Sequence, residues 1–225
     1  MKPRLPLPTL VLAAIAIGVH LLPPAATATL QFERTALAAG EWWRLVTGHL
    51  THFDTNHLAW DVGALIVLGT ICESASRVRT ALALGVASLT ISATVWMFQP
   101  QFETYRGLSG LDSALFGLFA STLIQQWRRE SVIVGAVALL GVLAKSVFEI
   151  TTGTTAFASG VGYAPVPLAH LVGMLSGITV AIGHAGSTRT DSNAEDAKCG
   201  SCRNRWNECG LDRSRSRNRS SFSPE

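Results

Sequence analysis

Apolar residues gather in six long runs, near 8–26, 55–73, 78–98, 107–127, 131–149 and 165–184, with polar segments between them. Each run is close to the ~20 residues a helix needs to cross ~30 Å of hydrocarbon. The pattern predicts an all-α, polytopic membrane protein of six transmembrane helices occupying residues 1–185. Several runs draw on Ala, Gly and Ser, which allow close helix approach in lipid but stand out less in hydropathy than Leu or Ile. The fourth and sixth runs are of this kind.

Composition agrees with lipid as the solvent: 48% of the 225 residues are hydrophobic, only 15% are charged, and mean hydropathy is positive. The charges are segregated. Lys2 and Arg4 precede the first run, Arg77 and Arg79 separate the second and third, and Arg128 and Arg129 separate the fourth and fifth. An Arg-rich tail follows the sixth. All four groups fall on one side, which the positive-inside rule puts in the cytoplasm of a cell (inner) membrane. Both termini are then inside, and the segments near 29–54, 99–106 and 150–164 are outside. A basic excess beside hydrophobic spans speaks for membrane orientation and against nucleic-acid binding.

Two segments carry a second reading. Met1–Arg4, the Leu10–Gly18 core and Ala26-Thr27-Ala28 imitate a cleavable secretory signal. The stretch through Leu21 and Leu22 also makes an uncleaved first span. Residues 186–225 have almost no aliphatic side chains and hold eight of the 18 Lys and Arg, so a disordered cytoplasmic tail is expected there. Cys199-x-x-Cys202 lies in that tail without the second pair a zinc site needs, so no metal and no cofactor are implied. In the first outer segment, Glu41-Trp42-Trp43-Arg44 suits the headgroup region.

Ionisable groups inside a bilayer are costly, which makes those within the spans candidates for function. They are His57, Asp61, Asp112, His170, and the pair Lys145 and Glu149. The last two, four apart on one helix face, read as an anchoring ion pair. Counting inward at ~1.5 Å per residue places Ser109, His170, His57 and Asp61 at a similar shallow depth below the outer surface. Three helices thus bring a hydroxyl, an imidazole and further polar groups to one level, as a nucleophile, a base and an oxyanion donor require. Gly107 and Gly110 beside Ser109 would let a substrate backbone approach. Singly, Ser109, Ser113 and Gly117 also form an ordinary packing stripe, as do Gly173 and Gly177, and His170 also suits an interhelical hydrogen bond.

Trp43-Arg44-x-x-Thr47, His52, His57-x-x-x-Asp61, Gly107-x-Ser109-Gly110 and Ala169-His170-x-x-Gly173 resemble the rhomboid intramembrane proteases in order, spacing and span placement, over nearly all of residues 40–180. The resemblance implies a serine endopeptidase acting near the outer face on the transmembrane segment of a substrate protein. Ser109 would be its nucleophile and His170 its general base, a dyad without a carboxylate. His57, Asp61 and the Ser109 N–H would form the oxyanion site. Tyr105-Arg106-Gly107-Leu108-Ser109-Gly110 and Lys145-x-x-x-Glu149 look closest to the bacterial rhombosortases, which implies substrates bearing a C-terminal Gly-Gly-type sorting segment.

Position 61 departs from the pattern, since the family usually has Asn there. Either a protonated Asp61 donates as Asn would, or an ionised Asp61 holds His52 or His57 in a useful tautomer. Asp112, one turn after Ser109, reads as a polar group bonded inside the bundle or as a further catalytic group. The alternatives from other classes are a catalytically inactive rhomboid relative that binds membrane proteins, and a small transporter. The first would lack Ser109 or His170, and the second would carry its polar groups at the midplane.

Overall fold

A computed structural model describes residues 5–156 and 164–183 of the chain. The expected tail, 186–225, lies outside the described residues. Among the described residues, ten helical or strand-paired pieces precede a final helix in this order: α1 (Leu7–His20), α2 (Pro24–Leu30), β1 (Phe32–Glu33), α3 (Arg34–Ala38), α4 (Arg44–Thr47), α5 (Thr55–Ala75), α6 (Arg77–Phe98), β2 (Thr104–Tyr105), α7 (Ser109–Ile124) and α8 (Arg129–Thr152), with a 3-10 turn at Gly48–Leu50. The last is α9 (Pro167–Gly183). By length and composition α5, α6 and α8 can cross a membrane, while α1, α7 and α9 are shorter apolar helices.

Local chemistry sets the ends. The first apolar run was expected to 26, but α1 stops at His20 because Pro23 and Pro24 follow, and Pro24 opens α2 instead. Asp54 caps α5 by accepting from the His57 N–H at 2.8 Å, and Ser76 caps α6 by accepting from the Arg79 N–H at 3.3 Å. The fourth helix was expected from 107. It starts at Ser109 because Gly107 has φ +117°, outside any right-handed helix. Gly153, at φ +67°, ends α8.

Packing inverts the pattern of a water-soluble core. Ala83, Ala87, Ala114, Ala120, Ala169 and Ala181 are buried, whereas Val67, Val78, Leu89, Val137 and Leu140 face outward. Small residues let helix backbones meet and large aliphatic ones face lipid. Between α7 and α9 the approach is backbone to backbone: a Cβ on Gly173 would strike the Gly110 carbonyl oxygen, one on Gly117 that of Met174, and one on Gly177 that of Ala114.

The first outer segment is knitted to the loop ahead of α7. β1 and β2 pair antiparallel, with Phe32 opposite Tyr105 and Glu33 opposite Thr104. Buried Arg44 donates to the carbonyl oxygens of Ala28 (2.7 Å) and Gln31 (2.8 Å) and to Glu41. Thr47 Oγ1 donates to Leu30 O at 2.6 Å. The Trp-Arg-x-x-Thr stretch thus braces the outer segment on itself, and the Leu45 carbonyl within it accepts from Ser92 Oγ of α6 at 2.6 Å, which ties the segment to the bundle.

Candidate active site

Ser109 is the first residue of α7, on a turn whose geometry is over-determined. Ahead of it, β2 is fixed by β1, and Arg106 Nε donates to Gln31 Oε1 at 2.7 Å while its guanidinium lies 5.0 Å over the Phe53 ring. Gly107 supplies the positive φ, and a Cβ there would lie 2.7 Å from His57 Nε2 and 3.1 Å from Asp61 Oδ2. The Leu108 N–H donates to Asp61 Oδ2 at 2.7 Å. No side chain caps the first turn of α7, so by helix geometry its opening amides lack intrahelical acceptors.

His170 is in the first turn of α9, where Pro167 suits the helix start. Its Nε2 is 3.0 Å from Ser109 Oγ. The glycine contact between α7 and α9 is what brings the two so near, so the packing stripe and the polar pair expected from the sequence are one arrangement. The other ring nitrogen, Nδ1, is 2.9 Å from Glu149 Oε2 of α8. Lys145 Nζ is 2.6 Å from Glu149 Oε1, 3.0 Å from His170 Nδ1 and 3.3 Å from Nε2. The reading of Lys145 and Glu149 as an anchoring pair captured their mutual contact and missed their aim at His170. The signal available in the sequence was a second charged pair buried at the depth of the other polar groups.

His57 lies in the first turn of α5 and Asp61 one turn later. Asp61 Oδ2 is 3.3 Å from His57 Nε2 and 3.3 Å from His52 Nε2, and it also takes the Leu108 N–H, so this oxygen is an acceptor facing several groups. His52 and His57 rings meet edge to face, 5.1 Å between centroids. Burial pushes His52, in the outer segment, below the usual histidine range, partly offset by Asp61. His49, under Tyr105, is likewise held neutral by burial at a pKa of about 4 and bonds Ser88 O and Ser92 Oγ through Nε2.

Ser109, His57 and His170 line a common cavity of about 270 Å³ closed by Tyr105, Arg106 and Val166. A second cavity of about 260 Å³ shares Ser109 and His57 and runs between Trp60, Phe116 and Val142. Asp61, Asp112, Lys145 and Glu149 also reach this second cavity. Asp112 is buried, and its Oδ1 has no hydrogen-bond partner among the described residues, unlike the bonded group the sequence suggested. No cluster of metal-ligating side chains occurs among the described residues.

A hydroxyl, an imidazole and apolar walls at one end of a helical bundle accord with a family match: residues 39–186 fit the family described as Rhomboid domain. The chain belongs to the rhomboid family. Like other rhomboid-family chains it is a multi-pass membrane protein built as a polytopic helical bundle. It is similar to the rhomboid protease GluP of Bacillus subtilis (strain 168), 33% identical over 92 residues. That stretch is 40% of this chain and covers 17% of the relative.

Proposed function

We propose that this rhomboid-family chain is an intramembrane serine endopeptidase, with Ser109 as nucleophile and His170 as general base. The observation that carries the reading is the 3.0 Å approach of His170 Nε2 to Ser109 Oγ on the wall of a cavity. At that distance Nε2 takes the hydroxyl proton as Oγ attacks a substrate carbonyl, and later returns it to the leaving amine. The uncapped first turn of α7 and His57, on the same cavity, supply donors for the oxyanion. Asp61 fits the histidine-holding alternative: its Oδ2 already accepts from Leu108 and faces two imidazoles, so it serves the site by fixing His52, His57 and the turn before Ser109. An inactive binding relative would have no use for the close Ser109–His170 contact.

The six apolar helices α1 and α5 to α9 are read as six spans with both termini cytoplasmic in the inner membrane, in line with the arginines between them. Ser109, His57 and His170 all stand at helix starts that this orientation turns outward, so a substrate span would be cut near the outer face and its ectodomain released. Lys145-x-x-x-Glu149 and Tyr105–Gly110 support rhombosortase-like substrates with a Gly-Gly-type C-terminal sorting segment. Co-expression with a secreted reporter ending in Gly-Gly, an apolar span and an Arg cluster tests this. Release of the shortened reporter by wild type and not by Ser109→Ala is expected, and release by both would end the protease reading.

A further inference from the structure

Asp112 has no part in the chemistry above. It lies on α7 three residues after Ser109, hence on the same side of the helix and ~4.5 Å further along its axis. It is 5% exposed, and its Oδ1 has no hydrogen-bond partner among the described residues. A buried acceptor left unpaired lowers stability, and a carboxyl group does so more than a neutral one. An apolar side chain would serve the packing of α7 better. The position therefore points to a partner that arrives with the substrate.

The surroundings say what that partner is. Asp112 stands on the cavity of about 260 Å³ that opens beside Ser109, where Trp60, Ala64, Phe116 and Val142 make the walls apolar. That volume is several times the ~30 Å³ a water molecule takes up in the liquid, enough for a long side chain. The other acids on the cavity are engaged: Asp61 Oδ2 accepts from the Leu108 N–H at 2.7 Å, and Glu149 Oε1 from Lys145 Nζ at 2.6 Å. Three carboxyl groups thus face one ammonium, Lys145, which Glu149 and His170 already hold. An incoming anion would be repelled, whereas a cation would find Asp112. Lys and Arg join an apolar stem, which suits these walls, to a charged tip, which suits a lone carboxylate. An aliphatic side chain would fill the same walls and leave Asp112 unpaired, so the penalty falls on the wrong residue. We propose that this cavity is a specificity subsite in which Asp112 receives a basic side chain, Lys or Arg, from the substrate residue whose carbonyl Ser109 attacks. The inference rests on the protease reading above and is independent of the sorting-segment class. Asp112 meets the substrate away from the reacting bond, so it sets which residue is cut after and leaves the work of Ser109 and His170 as described.

The full-length protein in detergent tests this with three diphenyl phosphonates that differ in one side chain, that of lysine, of norleucine or of glutamic acid, placed where the attacked residue would sit. Norleucine has the stem of lysine without its charge. Wild type should be inactivated by the lysine probe at least about tenfold faster than by the norleucine probe, and slowest by the glutamic acid probe. Asp112→Asn should bring the lysine-to-norleucine ratio to within about threefold of one. The wild-type ratio decides the matter even where the variant does not fold. A wild-type ratio below tenfold, fastest reaction with the glutamic acid probe, or no reaction with the lysine probe while a fluorophosphonate still labels Ser109 would overturn the subsite and leave the protease reading intact. A folded Asp112→Asn that keeps the wild-type ratio would overturn it as well. Failure of the fluorophosphonate to label Ser109 would instead overturn the protease reading, and the subsite with it.

Discussion

Gly107→Ala should disable the site while leaving the bundle assembled. Gly107 has φ +117°, a conformation that costs a residue with a side chain on the order of 1–3 kcal/mol. The added Cβ would also lie 2.7 Å from His57 Nε2 and 2.8 Å from Cε1. Ordinary contact needs about 3.5 Å, so the ring must retreat by about 0.8 Å or the turn must shift Ser109 by as much. Retreat of His57 removes one oxyanion donor, worth about 10²–10³ in rate, and a shift of Ser109 by that distance costs a comparable factor. The rate of fluorophosphonate labelling of purified protein in detergent measures this, with Gly141→Ala as control because nothing lies within 4 Å of a Cβ there. A folded Gly107→Ala that labels within threefold of wild type would refute the reasoning, for the turn would then tolerate what its geometry forbids.

Other outcomes follow from the same geometry. Asp61→Asn should lose at least about tenfold in labelling rate at every pH, since an amide in place of Oδ2 or beside it donates toward His52 and His57; full activity would restore the neutral-donor role to Asp61. His49, neutral in the fold at a pKa of about 4 against 6.5 when unfolded, binds its proton only on unfolding, so stability should fall by about 3 kcal/mol as pH drops from about 6.5 to 4 and be whole above 6.5. Thermal melting across that range should flatten in His49→Gln, and an unchanged slope would count against it. Reporter fusions at Ser76 and Gly160 should report opposite sides of the membrane, and the same side for both would contradict the orientation.

How much of this was legible in the sequence depends on whether a feature is local. Long apolar runs located α5, α6 and α8 nearly to their ends, because length and hydropathy are properties of a segment alone. Prolines were visible too, yet the run to 26 hid the stop at His20, since hydropathy counts Leu21 and Leu22 as span whatever their backbone does. Depth counting put Ser109, His57 and His170 at one level, and the described helices begin just before or at each of them. Rotation of one helix about its axis relative to another is not a local property. For that reason Glu149 read as a partner of Lys145 four residues away, when its second oxygen faces His170 on α9. The same limit hid the approach of the Leu108 N–H to Asp61 Oδ2, a contact between residues 47 positions apart.

The central claim is that Ser109 is activated by His170. Fluorophosphonate labelling of the membrane-inserted wild type, with the modified peptide located by mass spectrometry, tests it most directly. The account predicts a single adduct on Ser109, absent in Ser109→Ala and formed at least about 10³-fold more slowly in His170→Ala, because the two act as a unit. An adduct on another residue, or equal labelling of His170→Ala and wild type, would contradict it.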